Sequence, residues 1–128
     1  LIGIQKVLVN IIPSFRLSNR ININDLTKDN DINYKYSKDQ LVHDRISFRL
    51  YSEINKQIEL VKERANRIKI KTLLYHGSDD KIISSESVDI LSLLINDNQK
   101  IIFNKAYHEP HNDLEKKEVF KKIIKFLN

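Results

Sequence analysis

Two short stretches of the chain hold residue types that could do acid–base chemistry. The stretch LLYHGSDDKII places two adjacent carboxylates, Asp79 and Asp80, one residue beyond Gly77, which is one of the two glycines in the chain. The stretch AYHEPHND contains His108 and His111, which are two of the four histidines. A carboxylate that orients an imidazole is the half of a nucleophilic triad that activates a serine. The two stretches therefore predict the acid and the base of such a triad.

These residues also have less specific interpretations. Asp80 could cap the helix that follows, which is a common role for Asp after a strand. A shift of the loop by one residue would make Asp79 the acid instead. His108 could be an ordinary loop histidine, and the catalytic role could pass to His111. His76, which lies inside an apolar run, is most simply a core or pocket-lining residue.

Two patterns are similar to metal sites in composition. HEPH, residues 108–111, has its second His one position too early for the H-E-x-x-H pattern of zinc proteases, and Pro110 opposes a helix. DNDIN, residues 29–33, begins like a calcium loop but has Tyr34 in place of the glycine and Gln40 in place of the closing Glu. The sequence therefore predicts neither a metal ion nor an organic cofactor.

Composition limits the classes of protein to which the chain could belong. It has 128 residues, 41% of them apolar, no cysteine and a net charge of +5. Without cysteine there is no disulfide, no thiolate metal site and no cysteine nucleophile. Acidic residues are interleaved with the basic ones along the sequence. Aromatic residues are not interleaved with the basic ones, as a surface that stacks nucleic-acid bases would require. This pattern favours a solvated basic surface over a nucleic-acid partner. Because the chain has no methionine and its first residue is Leu1, we expect it to be part of a longer product.

The pattern of apolar residues predicts the elements that must position these side chains. Residues 14–36 show little periodicity and are predicted to be irregular, and SKDQ at 37–40 has the spacing of a capping box at a helix start. Helical periodicity predicts helices over residues 1–12, 44–66, 84–95 and 112–127. Alternating and then continuous apolar residues predict strands over residues 67–75 (RIKIKTLLY) and 100–103.

The second half of the chain thus alternates strand, helix, strand and helix, which is typical of a parallel sheet with covering helices. We predict an α/β fold with a mostly helical segment over residues 1–66 and part of an α/β core over residues 67–128. Two strands cannot form a stable parallel sheet alone, because both faces and both edges need partners. We therefore expect the partner strands to come from a missing N-terminal half of the same enzyme, with an oligomer as the alternative.

The two loops also carry a resemblance to a known family. TLLYHGSDDKII and AYHEPHNDLEK resemble the C-terminal part of monoacylglycerol lipases and related lysophospholipase-like α/β hydrolases. In that family a strand ends in Gly-Ser-x-Asp, and the catalytic His opens a loop ahead of the last helix, often as Ala-x-His. The resemblance places the triad acid at Asp80 and the base at His108. Lys71 stands where the family commonly has Pro, and Lys105 where it has Gly.

The upstream part of the chain resembles the same family more loosely. IIPSFRL and YSKDQLVHDRISFRLYSEI are similar to the segment that forms the cap over the acyl pocket. The resemblance implies a helical cap over residues 1–66 and the end of the hydrolase core over residues 67–128. It also implies a lipid ester substrate, of lysophospholipid or monoacylglycerol type, and it leaves peripheral contact with a membrane open.

The nucleophile of the expected triad is not found in this sequence. A serine elbow of the form Gly-x-Ser-x-Gly cannot be written with Gly3 and Gly77 alone. The serine and the oxyanion-hole amides are therefore expected outside this chain. Two alternatives stay open: a non-catalytic α/β-hydrolase-like module for binding or scaffolding, and a basic module that binds nucleic acid or an anionic membrane.

Overall fold

A computed structural model describes residues 9–128 of the chain. Most of the helix predicted over residues 1–12 lies outside the described residues. The part that is described, residues 9–11, is helical. The described chain divides into two compact units. Residues 9–20 and 43–64 form the first unit, and residues 21–42 and 65–128 form the second.

The strands are β1 (Arg16–Ser18), β2 (Arg45–Ser47), β3 (Thr72–Gly77) and β4 (Asn98–Phe103). The helices that follow residues 9–11 are α1 (Asn30–Lys38), α2 (Phe48–Arg64), α3 (Glu86–Leu94) and α4 (Lys116–Leu127). Short 3-10 helices cover Ile23–Asp25, Ala65–Arg67 and Pro110–Asn112.

The first unit consists of a small antiparallel sheet and the long helix α2. Strands β1 and β2 pair with Leu17 opposite Ile46. The Ser47 hydroxyl accepts a hydrogen bond from the Leu50 amide at 3.1 Å, which satisfies a free donor at the start of α2. The helix predicted from residue 44 therefore begins at Phe48, because residues 45–47 pair as a strand instead.

Helix α1 corrects the prediction that residues 14–36 are irregular. The Asp29 carboxylate accepts hydrogen bonds from the amides of Asp31 and Ile32, so DNDIN is the capped start of a helix. The predicted capping box at residues 37–40 is also wrong. Ser37 lies in the last turn of α1, where its hydroxyl donates back to the Tyr34 carbonyl at 2.7 Å.

The second unit confirms the predicted order of strand, helix, strand and helix. Strands β3 and β4 pair in parallel, with His76 opposite Ile102 and Gly77 opposite Phe103. The loops after Gly77 and Phe103 therefore leave the sheet on the same side, at the edge formed by the carboxyl ends of the strands. Ligands of open α/β sheets bind at this edge.

The core of the second unit lies close to that edge. Phe103, Ala106 and Val119 are buried together, and Tyr75 meets the Phe103 ring edge-on with 6.0 Å between ring centroids. Val119 belongs to α4, so this helix holds the end of β4 and the loop that follows it. The helix begins at Lys116 rather than near residue 112, because Pro110 opens a separate 3-10 turn.

Candidate active site

Gly77 is required by the close approach of the loop that follows β4. A Cβ atom at this position would collide with the backbone carbonyl oxygens of Ala106 and Tyr107. The hydrogen bond from the Asp79 amide to the Ala106 carbonyl, 3.0 Å long, holds the two loops together at this point. A side chain at position 77 would push the loops apart. The presence of glycine at this position therefore has a steric cause.

Lys105 turns the chain toward this contact in a left-handed conformation, with φ of 61°. Its amide donates to the Ser78 hydroxyl at 2.7 Å, which fixes the turn to the first loop. Left-handed backbone favours glycine because a Cβ crowds the following carbonyl. The Gly that the resembled family commonly has at this position therefore fits the backbone better than the lysine does.

Asp80 is held in place by its own loop. One carboxylate oxygen, Oδ1, accepts hydrogen bonds from the amides of Ile82 at 2.7 Å and Ile83 at 3.0 Å. The side chain is only 2% exposed. Its neighbour Asp79 faces solvent, where it accepts a hydrogen bond from the Ser78 hydroxyl. The two adjacent carboxylates thus have different surroundings, and Asp80 is the one turned into the fold.

His108 meets the other oxygen of the same carboxylate. Its Nδ1 atom lies 2.8 Å from Asp80 Oδ2, and its side chain is 29% exposed. An ionised carboxylate can only accept, so Nδ1 carries a proton and donates it to this hydrogen bond, which in the uncharged ring leaves Nε2 as the base. The lone pair of Nε2 then lies on the opposite side of the ring from Asp80. A base with one nitrogen fixed and the other free is the arrangement that activates a hydroxyl nucleophile.

The surroundings of Asp80 keep it ionised. Burial of the carboxylate raises its pKa, but the hydrogen bonds from His108, Ile83 and Ile82 outweigh burial and hold the pKa below its ordinary value. An ionised acid is required if the carboxylate is to stabilise a positive charge on the His108 ring.

Asp113 fixes the His108 loop, a role that the sequence did not predict, since there Asp113 stood out only as part of the metal-like composition around HEPH. Its carboxylate is fully buried and accepts hydrogen bonds from the amides of Tyr107, Lys28 and Leu114, at 2.8 to 3.0 Å. The Thr27 hydroxyl lies 3.4 Å from the same carboxylate, although 86 positions separate the residues. A lone Asp in a polar loop carries no sequence signal for such burial, since its partners are backbone amides and a distant segment.

His111 lies against Tyr75 rather than against Asp80. The two rings meet edge-on, and the Tyr75 hydroxyl lies 3.3 Å from His111 Nδ1. In the part of the chain that the structure describes, no cluster of three or more His, Asp or Glu side chains could hold a metal ion. Within HEPH, His108 and His111 thus face different partners, and Asp113 nearby is occupied by backbone amides.

His76 lies in β3 with its side chain 11% exposed, in keeping with its interpretation as a core or pocket-lining residue. Its Nε2 atom is also 3.3 Å from Asp80 Oδ2. The strand therefore supplies a second imidazole to the acid. The spacing of four residues between His76 and Asp80 gave no signal for this contact, because the contact depends on how the loop folds back.

The parallel strands, the covering helices and the acid–imidazole pair at the strand tips define the C-terminal portion of an α/β-hydrolase fold. The family model for serine aminopeptidase, S33, matches residues 1–115, and the chain belongs to this family. The predicted fold class and the predicted relation to α/β hydrolases are confirmed.

Individual relatives agree with this assignment. A monoacylglycerol lipase from Paleococcus ferrophilus is 34% identical, with a TM-score of 0.85 over 96% of this chain and 49% of the lipase. A soluble variant of the monoglyceride lipase from Saccharomyces cerevisiae is 18% identical, with a TM-score of 0.73 over 98% of this chain and 47% of that enzyme. At this identity the yeast structure supports the fold alone.

The curated relatives include an uncharacterized abhydrolase domain-containing protein from Dictyostelium discoideum. It is 28% identical over 130 residues, which cover 98% of this chain and 14% of that protein. The chain thus spans about half the length of the lipases that it matches and a much smaller share of the Dictyostelium protein.

Proposed function

We propose that the chain is the C-terminal segment of a serine hydrolase that cleaves lipid esters of monoacylglycerol or lysophospholipid type. Asp80 and His108 supply the acid and the base of its triad, and the serine lies outside this chain. The observation that carries the proposal is the 2.8 Å contact between His108 Nδ1 and Asp80 Oδ2, at loops that leave one edge of the sheet. No cofactor is part of the proposal.

In this mechanism His108 moves a proton twice. Its free Nε2 takes the proton of the serine hydroxyl as the oxygen attacks the ester carbonyl, and the ring becomes positively charged. Asp80 stabilises that charge across the Nδ1 hydrogen bond. The ring then gives the proton to the departing alcohol, which leaves an acyl-enzyme. Water, deprotonated by the same Nε2, then attacks the acyl-enzyme. The ring returns that proton to the serine oxygen as the bond between this oxygen and the acyl group breaks, which releases the fatty acid and restores the resting serine and imidazole.

The proposed substrate class rests on the relatives rather than on the acid–base pair. A Ser-His-Asp triad serves esters and amides alike, and the family description names an aminopeptidase. The Paleococcus relative, at 34% identity, is named a monoacylglycerol lipase. The proposal follows this relative and keeps the division into a cap over residues 1–66 and a core over residues 67–128.

Exposed apolar side chains in the second unit support the proposal that another part of the protein packs against this unit. Large apolar residues with more than 40% of their surface exposed include Ile70, Leu93, Leu114, Phe120, Ile124 and Leu127. Stable parallel sheets have both faces and their neighbouring strands covered, and β3 and β4 are the two strands that this sheet has among the described residues. We infer that the remainder of the hydrolase covers these surfaces, with self-association as the alternative.

The test is a set of matched substrates given to the full-length protein. A monoacylglycerol, a lysophospholipid, a short-chain p-nitrophenyl ester and an aminoacyl p-nitroanilide are compared by kcat/KM. The proposal expects turnover of the esters, with a lipid ester preferred over the anilide. Preference for the anilide would contradict the lipid-ester assignment while leaving the triad in place.

Labelling with a fluorophosphonate tests the triad independently of the substrate. The probe phosphonylates an activated serine, and mass spectrometry then locates the labelled residue. The proposal expects labelling in full-length protein, at a serine outside residues 1–128. The absence of any label and any turnover would favour the non-catalytic binding module instead.

Contact with a membrane is the remaining part of the proposal. Within residues 9–128 no helix is long and apolar enough to span a bilayer. Cosedimentation of full-length protein with anionic and neutral vesicles tests peripheral binding, which is expected to weaken at high salt if the basic surface contributes.

A further inference from the structure

The backbone on both sides of the His108 ring is held by hydrogen bonds. The Tyr107 amide donates to Asp113 Oδ2 at 2.8 Å, and the Glu109 amide donates to the Leu26 carbonyl at 2.9 Å. The first acceptor belongs to the same loop, whereas the second belongs to a segment from the other half of the chain. The position of His108 therefore depends on residues that the triad mechanism does not include.

The distant segment is formed by residues 26–28, and its central residue is buried. Thr27 is 1% exposed, and its hydroxyl donates a hydrogen bond to the Asn112 carbonyl at 3.0 Å, the nearer of two acceptors. The next amide, that of Lys28, donates to Asp113 Oδ1 at 3.0 Å. Three consecutive residues of this segment therefore bind the loop that carries His108.

Thr27 also ties this segment to helix α1. Its hydroxyl accepts a hydrogen bond from the Asp29 amide at 3.0 Å, and its carbonyl accepts one from the Asn33 side-chain amide at 2.8 Å. Asp29 caps α1 and Asn33 lies within it. A hydroxyl that donates on one side and accepts on the other thus links the start of a helix to the His108 loop.

We propose that Thr27 is a positioning residue for His108, whose hydroxyl sets the loop so that Nδ1 meets the Asp80 carboxylate. The catalytic meaning of this inference rests on the proposed function. Thr27 acts through the backbone of the loop and not on the reacting atoms. The distance from His108 Nδ1 to Asp80 Oδ2 is 2.8 Å, so a shift of the loop would break this hydrogen bond. A misplacement of about 1 Å in a catalytic group costs about 10²-fold in rate.

Two substitutions separate the hydroxyl of Thr27 from its shape. Thr27→Val removes the hydroxyl at nearly constant volume, whereas Thr27→Ser keeps the hydroxyl and removes a methyl group. In full-length protein with p-nitrophenyl butyrate, we expect Thr27→Val to lower kcat by about 30-fold and to change KM less than about twofold. The reason is that proton transfer depends on the position of Nε2, whereas binding of a short ester does not. We expect Thr27→Ser to keep kcat within about threefold.

Thr72→Val is the matched control for the loss of a hydroxyl. The Thr72 hydroxyl also donates to a backbone carbonyl, that of Ile70 at 2.9 Å, but it lies at the amino end of β3, away from the triad pair. This variant is expected to retain kcat within about twofold. Each variant is assayed below its thermal midpoint, with circular dichroism as the check, so that kcat reports the folded enzyme.

Hydrogen exchange of the Glu109 amide, followed by NMR, gives a readout that does not depend on activity. In the parent this amide is expected to be protected. Thr27→Val is expected to speed its exchange by about tenfold or more, whereas Thr27→Ser should keep it protected. The Ser78 amide, which donates to the Phe103 carbonyl at 2.9 Å, is the internal control and should keep its parental rate.

Several kinetic results would overturn the proposal. If folded Thr27→Val kept near-parental kcat, the hydroxyl would have no role in placing the base. An equal loss of kcat in Thr27→Ser would assign the effect to packing of the methyl group. A rise in KM with unchanged kcat would assign Thr27 to substrate binding instead.

The exchange data decide the cases that kinetics leave open. Unchanged protection of Glu109 in Thr27→Val would overturn the proposal. If Thr27→Val did not fold, rapid exchange of the Glu109 amide in the parent would do the same, since residues 26–28 would then not hold the loop. If the parent had no hydrolase activity, the proposed function would fail, and exchange at Glu109 would still show whether Thr27 holds the loop.

Discussion

The Nδ1 atom of His108 lies 2.8 Å from the Oδ2 atom of Asp80, although 28 positions separate the residues. Two features of the fold bring them together. Strands β3 and β4 are parallel and in register at Gly77 and Phe103, so both loops begin at one edge. The absence of a side chain at Gly77 then lets the second loop cross directly over the first.

Substitution of each of the two adjacent carboxylates should show that Asp80, and not Asp79, is required for activity. Asp80→Asn in the full-length protein is expected to lower kcat for an ester by about 10⁴-fold, because a neutral amide no longer stabilises the charged His108 ring. The asparagine carbonyl can still accept from Ile82 and Ile83, so the fold should persist. Asp79→Asn is the matched control and should retain near-parental kcat. A larger loss of kcat in Asp79→Asn than in Asp80→Asn would show that Asp79, rather than Asp80, is the acid.

Replacement of the base should be equally selective between the two loop histidines. His108→Ala is expected to reduce kcat by roughly 10⁴- to 10⁶-fold, since the variant lacks the imidazole that takes the serine proton in the proposed mechanism. His111→Ala removes a ring that contacts Tyr75 and should change kcat by no more than about threefold. Circular dichroism and the thermal midpoint check that both variants fold. Near-parental ester turnover by His108→Ala would rule out the assignment.

The crossing of the two loops makes Gly77 intolerant of any side chain. Gly77→Ala is expected to lower the free energy of unfolding by about 3 kcal/mol, because the new Cβ meets backbone carbonyls that cannot move independently. Lys105→Gly is the control in the same loop and should not destabilise, since it relieves a left-handed backbone at a non-glycine residue. Urea unfolding of the full-length proteins measures both. Equal stability of Gly77→Ala and the parent would mean that the loops lie farther apart.

Loss of the buried carboxylate at Asp113 should loosen the loop that carries His108. Asp113→Ala leaves the amides of Tyr107, Lys28 and Leu114 without an acceptor, and we expect a loss of roughly 3 kcal/mol in unfolding free energy. Hydrogen exchange provides the specific readout, because the Tyr107 amide should exchange much faster than in the parent. Unchanged protection at Tyr107 would show that the loop has another support.

The low pKa of Asp80 predicts that this carboxylate contributes to the loss of folding stability in acid. The pKa of this carboxyl is below its ordinary value of 3.8 in the folded state, so the unfolded state binds more protons in acid. Its contribution to stability is therefore present above about pH 4 and is lost as the pH falls through the lower folded value. Urea midpoints of the parent should fall more steeply with acid than those of Asp80→Asn. Parallel curves would contradict this assignment.

The sequence determined the fold class and the position of the two loops. Alternation of apolar residues gave the order of strand, helix, strand and helix in the second unit, because burial on a sheet or a helix imposes a period that the sequence shows directly. The motif resemblance pointed to Asp80 and His108, and it favoured Asp80 over Asp79. The prediction failed between residues 14 and 38, where the Asp29 cap starts a helix in a stretch with weak apolar periodicity.

Only the tertiary structure decided which groups meet the Asp80 carboxylate. The contact of His76 with its Oδ2 atom and the hydrogen bonds from Ile82 and Ile83 to its Oδ1 atom depend on a loop that folds back on its own strand. The burial of Asp113 depends on Thr27, which is distant in the sequence. Apolar periodicity reports burial on regular elements, whereas polar contacts in loops are set by distances that arise when remote segments pack together. The sequence therefore fixes which residues reach the edge of the sheet, and the packing of the loops fixes their hydrogen-bond partners.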